Sequence, residues 1–315
     1  SFSDASWPVY LKRIIKEARI SAKNVYVSIP SASSLITMVE FPNIAREDLD
    51  QAIRYEAHKY IPTSLDDVVL SWDIVSIKNP NSLTEKFSGG PVEKKVNAVE
   101  TKIQVVLVAA PKSKVEKHEK MIAGLGLTLK SIEIDSFSLV RSLIGNDQGN
   151  FIIVDIGSRI CSILLVEKGI IKVSRNIDAG GRDVTKTIAR SLRVDESKAR
   201  DMKNAGKDFL SGRNAIFFPV FNSIIEEIRR VLNDYYMSEG GTNIDSILLS
   251  GGTARFTGLA DYFQNTLRIK TIVGNPFSRI SCDDKIKRRV HQIRVQFSVS
   301  AGLALKGAEE YIKNV

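Results

Sequence analysis

Apolar side chains recur along the chain with two periods. Leu11, Ile14, Ile15 and Ala18 fall three and four residues apart, which predicts a helix over 9–20. Val25 to Ile29, closed by Pro30, is the short apolar run of a buried strand, and Ser34 to Phe41, ended by Pro42, is a second. Helical spacing returns over 46–60 with Leu49, Ala52, Ile53, Ala57 and Tyr60, and Pro62 bars its continuation. Val68–Ile77 and the unbroken run Ile103–Ala110 read as strands. A helix follows Pro111 and stops at Gly124 or Gly126; then come a strand at Leu127–Ile134 and a short helix over 136–144. Residues 78–101 break the pattern, being rich in Asn, Ser, Gly, Lys and Glu, and predict a flexible loop. The order over 34–130 is therefore that of an α+β unit set between two α/β segments.

The second half opens on the apolar run Phe151–Val154. Strands at 161–167 and 170–176 flank Lys168-Gly169, a hairpin signal. Helices are expected over 182–192, 195–204 and 217–236, then a strand at Ile247–Ser250, a helix over 257–266 and an amphipathic helix over 297–313. No solenoid repeat is present.

Composition narrows the function classes. The 315 residues suit one large or two modest domains, and no run approaches the roughly 18 apolar residues of a membrane helix. Cys161 and Cys282 lie far apart without CxxC spacing, which argues for a reducing compartment and against zinc. His58, His118 and His291 stand at unrelated positions, giving no support for a histidine triad or metal centre. The formal charge of +9 suits an anionic partner or surface. The basic residues are spread along the chain and no nucleic-acid module is recognisable among them, so a solvated surface is the preferred account of the charge.

Two buried strands each run straight into a glycine turn: Phe151–Val154 into Asp155-Ile156-Gly157-Ser158, and Ile247–Ser250 into Gly251-Gly252-Thr253. Glycine there lets backbone N–H groups approach a phosphate with no Cβ in the way, and a carboxylate at the strand end, Asp155, can hold Mg²⁺ through water. Either turn alone is an ordinary turn as often as a ligand loop. Their order is more specific. Asp155–Ser158 precedes Ala179-Gly180-Gly181-Arg182-Asp183 by one hairpin, and Ser250-Gly251-Gly252-Thr253-Ala254-Arg255 follows about seventy residues later. This succession resembles the actin and sugar-kinase superfamily. The resemblance implies a second phosphate loop at Asp155, Gly157 and Ser158, a phosphate-side lining at Gly180 and Gly181, and an adenosine loop at Gly251, Gly252, Thr253 and Arg255. It also implies an acid–base pair on helix 223–236 holding ribose and adenine, with Glu226 and Arg229 in one register and Glu227 and Arg230 in the other.

Arg54-Tyr55-Glu56-Ala57-His58-Lys59-Tyr60-Ile61-Pro62, Val106–Lys112, Ile132–Leu139, Asn275-Pro276-Phe277 and Ala301-Gly302-Leu303-Ala304-Leu305 closely resemble the signature segments of the PilM family. That family comprises the cytoplasmic actin-like ATPases of type IV pilus assembly. The resemblance spans nearly the whole chain. It implies an α/β actin-like fold with two lobes and an inserted subdomain of the kind found in the division protein FtsA. Residues 1–33 and 131–150 would form the first subdomain, 34–130 the insertion, and 151–315 the second lobe. It further implies ATP and Mg²⁺ as cofactors and a place at the inner face of the cytoplasmic membrane, and leaves open whether the chain is a weak ATPase. The implied partner is the N-terminal peptide of a PilN-like inner-membrane protein, bound where the insertion meets the body, alongside other pilus platform proteins. Asp135 would either position the attacking water or serve as a structural carboxylate. The family opens with a Gly-x-Asp-Ile-Gly-Ser hairpin and a Lys; nothing like it precedes Trp7, and a chain lacking it would hold Mg²⁺–ATP weakly. An FtsA-like filament protein, a sugar or acyl kinase and a nucleotide-free scaffold are the alternatives.

Overall fold

The computed structural model describes residues 7–78, 102–238 and 241–313. The loop expected over 78–101 lies, beyond Lys78, outside the described residues. The chain divides into two compact units, residues 33–115 and the remainder, each with its own packing.

In the remainder, here the body, α1 (Trp7–Glu17) leads into β1 (Asn24–Ile29). The inserted unit then runs β2 (Leu35–Pro42), α2 (Arg46–Ala57), β3 (Val68–Lys78) and β4 (Lys102–Pro111). Its antiparallel sheet has the order β2-β4-β3. The alternation of β4 sends Ile103, Val105, Leu107 and Ala109 to one core, where they meet Val39 and Phe41 of β2 and Leu49, Ile53 and Ala57 of α2. The predicted stripe of α2 is thus its buried face. The helix stops at Ala57, three residues before the expected end, and 58–60 form turns ahead of Pro62.

The chain returns to the body through α3 (Lys112–Gly124) and β5 (Thr128–Ile134). β5 pairs in parallel with β1 from Asn24↔Thr128 to Ile29↔Ile134. Residues 128–130, grouped with the insertion on sequence pattern, therefore run in a strand pair of the body. α4 (Asp135–Leu143) follows directly.

Next come β6 (Asn150–Ile156), β7 (Cys161–Glu167), β8 (Ile170–Ile177), α5 (Gly181–Leu192), α6 (Glu196–Asn204), α7 (Pro219–Met237), β9 (Ser246–Ser250), α8 (Leu259–Leu267), β10 (Thr271–Val273), α9 (Asp284–Ile293) and α10 (Ser298–Lys313). The five-stranded sheet has the order β10-β9-β6-β7-β8. β6 is antiparallel to β7 and parallel to β9. Its two faces are covered, so Ile152, Ile153, Val154 and Ile156 are all fully buried and the strand reads as a continuous apolar run. The β7–β8 connection is the predicted two-residue turn, with Lys168 and Gly169 both at positive φ. α7 opens on Pro219 and buries Ile224, Ile225, Ile228, Val231, Leu232 and Tyr235 against the sheet. The periodicity of the sequence missed β10, which has only three residues, and α9, whose ten residues include only three large apolar ones.

α4 and α10 cross closely around Gly302. A Cβ there would overlap the Ser138 carbonyl. The Gly302 carbonyl accepts from Arg141 at 3.0 Å, and Arg141 also pairs with Glu133 at 2.7 Å. Lys306 reaches the same carboxylate at 3.0 Å. Burial pushes the Glu133 carboxyl up, but hydrogen bonds from Arg141, Ser138 and Lys306 overcome it and hold the group below the usual range. This contact explains the glycine of the Ala301–Leu305 motif: the helices approach too closely for any side chain. Gly302→Ala is expected to cost about 3 kcal/mol by overpacking. Urea unfolding measures it, and a loss under about 0.5 kcal/mol would mean the two helices part easily.

Candidate functional site

The two glycine turns and the start of α5 meet beneath a cleft of about 750 Å³ in the body. Each glycine has a distinct reason to be there. The Gly157 N–H donates to the Ile160 carbonyl (3.0 Å), closing the turn between β6 and β7. Gly180 is in extended backbone that any residue adopts, but a Cβ would fall 2.7 Å from the Ser158 carbonyl. Gly251 combines positive φ (+81°) with an approach in which a Cβ would lie 2.5 Å from the Ile156 carbonyl oxygen. These contacts bind the loops together. Gly181 N–H donates to the Gly157 carbonyl and Arg182 N–H to the Ser158 carbonyl, both at 2.9 Å, while the Thr253 hydroxyl reaches Gly157 O at 3.4 Å. The Asp183 carboxylate accepts from Gly180 N–H at 3.1 Å, fixing the first turn of α5.

Gly252 differs. Its Cβ would meet nothing nearer than the Gln296 side chain at 4.0 Å, and the residue lines the cleft. Here the missing side chain leaves space open in the cleft rather than permitting two backbones to touch.

Of the residues singled out in the sequence, Gly157, Ser158, Gly181, Gly252 and Thr253 line this one cleft. Gly180 and Gly251 sit behind it as spacers. Arg255 is exposed on the one-turn helix Gly252–Arg255 and is not part of the lining. Glu226, Glu227 and Arg230 line a separate cleft of about 610 Å³, with Asp178 and Asp183. Burial of Ile224, Ile225, Ile228 and Val231 turns these three toward the end of β8 and the start of α5. There Glu226 pairs with Arg229 (2.6 Å) and Glu227 with Arg230 (3.1 Å).

The opposite wall of the first cleft comes from α6: Glu196, Arg200, Lys203 and Asn204. The sequence reading found this helix but gave its charges no role. Their spacing was the available signal, since Glu196, Arg200 and Lys203 fall on one face. Lys203 Nζ donates to the Gly181 carbonyl (2.9 Å) and to the Thr185 hydroxyl (3.0 Å). Burial, then the charge of Arg200, lowers its pKa. With Arg182, Arg200 and Lys203 against Glu196, the lining carries more positive than negative charge.

Two carboxyls lie close enough to feel one another. Asp155, at the end of β6, is pushed up to about 6, by burial foremost; a hydrogen bond from Ser250 opposes the shift and the charge of Asp135 adds to it. Asp135, at the start of α4, is also raised by burial, against hydrogen bonds from Ser31 and Ser136. Ser31 N–H donates to Asp135 at 3.0 Å, and the Ser31 hydroxyl joins Ser162 (3.2 Å) and Asn176 (3.1 Å). A divalent cation would relieve both carboxyls at once. Among the described residues no group of three or more His, Cys, Asp or Glu side chains could hold a metal by itself.

The family model of the type IV pilus assembly protein PilM matches residues 8–308. Among solved structures, a chain of a PilM–PilN type IV pilus biogenesis complex is similar with a TM-score of 0.76 at 24% identity, over 96% of this chain and 85% of that one. MreB5 of Spiroplasma citri, solved with ADP, is similar with a TM-score of 0.56 at 13% identity, over 99% of this chain and 78% of that one. The fold is that of the actin-like ATPases.

The raised pKa of Asp155 has a measurable consequence. Its native value lies above its ordinary 3.8, so folding takes up a proton between the two. Its contribution to stability therefore turns unfavourable as pH rises through that window. Asp155→Asn is expected to stabilise the protein by about 2 kcal/mol above pH 7, in the presence of a chelator, with the gain vanishing near pH 4. Urea midpoints across pH measure this; a gain or loss independent of pH would show that the ionised carboxylate is not disfavoured in the native state.

Proposed function

The chain belongs to the type IV pilus assembly PilM family, and on that premise we propose that it is a nucleotide-binding component of the pilus assembly apparatus. The observation that carries this reading is the placement of Gly252: an open position in a cleft whose other walls are a phosphate-type glycine turn and a cationic helix face. In this proposal Ser158, Arg182 and Lys203 face the phosphates of ATP, and Gly252, Thr253 and Asn204 lie toward the nucleoside. Asp155, with Asp135 nearby, is the carboxylate toward which Mg²⁺ is directed through its water shell. The ion would supply charge neutralisation at the phosphates; what the chain itself contributes is a fixed, partly desolvated carboxylate and a set of cations.

A nucleotide-free scaffold is the second reading. It is favoured by the fact that the first amides of α5 are already occupied by the Gly157 and Ser158 carbonyls, leaving the loop satisfied without a ligand. Titration separates the two. Gly252→Val is expected to weaken ATP binding by at least about tenfold with an unchanged melting temperature, because its side chain enters open space. Gly251→Ala is expected to lose stability instead, from positive φ and the Ile156 contact. Unchanged ATP affinity in a folded Gly252→Val protein, or no ATP binding by the parent, would favour the scaffold.

The second part of the proposal concerns a partner. The similar chain of known structure was solved with PilN. We infer that this chain likewise binds the cytoplasmic N-terminal segment of a PilN-like membrane protein, which holds it at the inner face of the membrane, and that the inserted unit takes part in recognition. A short extended peptide gives up conformational freedom on binding, so a Kd of about micromolar is expected. Fluorescence polarisation with that labelled peptide measures it. Equal binding by a chain in which residues 33–115 are replaced by a short linker would remove the insertion from the interface.

A further inference from the structure

The spread of basic residues in the sequence conceals a concentration in the fold. α9 carries Lys285, Lys287, Arg288 and Arg289, with Arg294 in the turn that follows; the acids of this stretch are Asp283 and Asp284 only. Asp283 is used as the cap, accepting Lys285 N–H at 2.9 Å, and Asp284 pairs with Lys287. Lys285, Arg288 and Arg289 are exposed and form no side-chain hydrogen bond or ion pair among the described residues.

The same helix has an apolar stripe. Ile286, Val290 and Ile293 recur at four and three residues, and Phe297 ends the separate tight turn Arg294–Phe297 that follows. Val290 and Ile293 are half-buried, but Ile286 is 50% exposed and Phe297 42%. At roughly 100° per residue, Arg289 falls about 60° to one side of Ile286, Lys285 about 100° to that same side and Lys287 about 100° to the other. Basic side chains thus border the stripe on both sides, and Arg288 points away from it.

Charge alone would suit any polyanion. Exposed Ile286 and Phe297 beside that charge suit a surface with an anionic outer layer over an apolar interior. Lys and Arg stems can lie along such a surface with their charged ends at the phosphates, while the apolar side chains enter the boundary beneath. We propose that α9 docks directly on an anionic lipid bilayer, with Ile286 and Phe297 entering the headgroup boundary and Lys285, Lys287, Arg289 and Arg294 meeting lipid phosphates. This contact is the chain's own and is independent of both the nucleotide and the partner readings. One short helix makes a weak anchor, so the contact is reversible and sensitive to salt. The docked end is also joined to the cleft: Val295 O accepts Gly251 N–H at 3.1 Å, and Gln296 lines the cleft.

The test is flotation of the purified chain with vesicles of phosphatidylcholine alone and of phosphatidylcholine with about one-third phosphatidylglycerol. Binding is expected to the anionic vesicles only and to fall about tenfold between low and high salt. Lys285→Glu/Lys287→Glu/Arg289→Glu is expected to abolish it, and Ile286→Asp to weaken it about fivefold with an unchanged melting temperature. Phe297→Trp gives an independent signal, a blue-shifted indole emission with anionic vesicles. Absence of flotation by the parent chain, or equal flotation of the charge-reversed variant, overturns the proposal. So does binding that survives Ile286→Asp with no emission shift in the Phe297→Trp variant, since the helix is then a purely electrostatic patch; binding to an oligonucleotide in place of vesicles would assign that patch to nucleic acid.

Discussion

Three segments distant in sequence meet at one carbonyl oxygen, that of Gly157. It accepts the Gly181 N–H at the start of α5 and lies 3.4 Å from the Thr253 hydroxyl of the loop after β9. The neighbouring Ser158 carbonyl takes Arg182 N–H. For this junction to close, four positions must approach backbone or side chain within a distance that a Cβ forbids. An added Cβ would lie 2.9 Å from Ile160 O at Gly157, 2.7 Å from the Ser158 carbonyl at Gly180, 2.6 Å from the Thr253 hydroxyl at Gly181 and 2.5 Å from Ile156 O at Gly251. The cleft exists because the sheet delivers two strand ends side by side, through the β6–β9 pairing, and because glycine lets their loops touch.

Electrostatics follow from the same arrangement. Ending β6 between β7 and β9 places Asp155 where water is scarce, and a carboxyl there is costly to ionise. Asp135 adds to that cost. The cations on α6 and at Arg182 line the cleft, to whose lining Asp155 itself does not contribute, and Lys203 is made less basic by burial. The protein therefore holds two unfavourable features, acids difficult to ionise and a cation difficult to protonate. In the proposed function a bound polyanion with its metal would relieve both.

Much of this was legible in the sequence, unevenly. The strand-to-glycine turns could be read directly, because buried strands of this sheet are apolar on both faces and leave Asp155 and Gly251 conspicuous at their ends. The hairpin at Lys168-Gly169 was equally plain. The role of each glycine was not: Gly252 faces open space while Gly251 is a spacer, and adjacent identical residues give no sequence signal of that difference. Helix 223–236 was read for its charges, but which cleft they line depends on how its buried face seats on the sheet. α6 carried its signal at Glu196, Arg200 and Lys203 in a stretch too polar to draw notice. α9 was missed for the same reason: Ile286, Val290 and Ile293 recur at helical spacing, but the stretch around them is mostly charged.

The carboxyl pair also lies next to the point where the chain leaves the body. Ser31 N–H is held by Asp135, and its hydroxyl by Ser162 of β7 and Asn176 of β8. Two residues later the inserted unit begins, at Ser33. The bond from Ser31 N–H depends on Asp135 accepting through its carboxylate, and the charge of Asp135 in turn raises Asp155. Neutralising Asp155, by a proton or by a cation, makes ionisation of Asp135 easier and so strengthens its hold on Ser31. The charge state of Asp155 and the firmness with which Asp135 holds Ser31 N–H are in this way two expressions of one local charge balance.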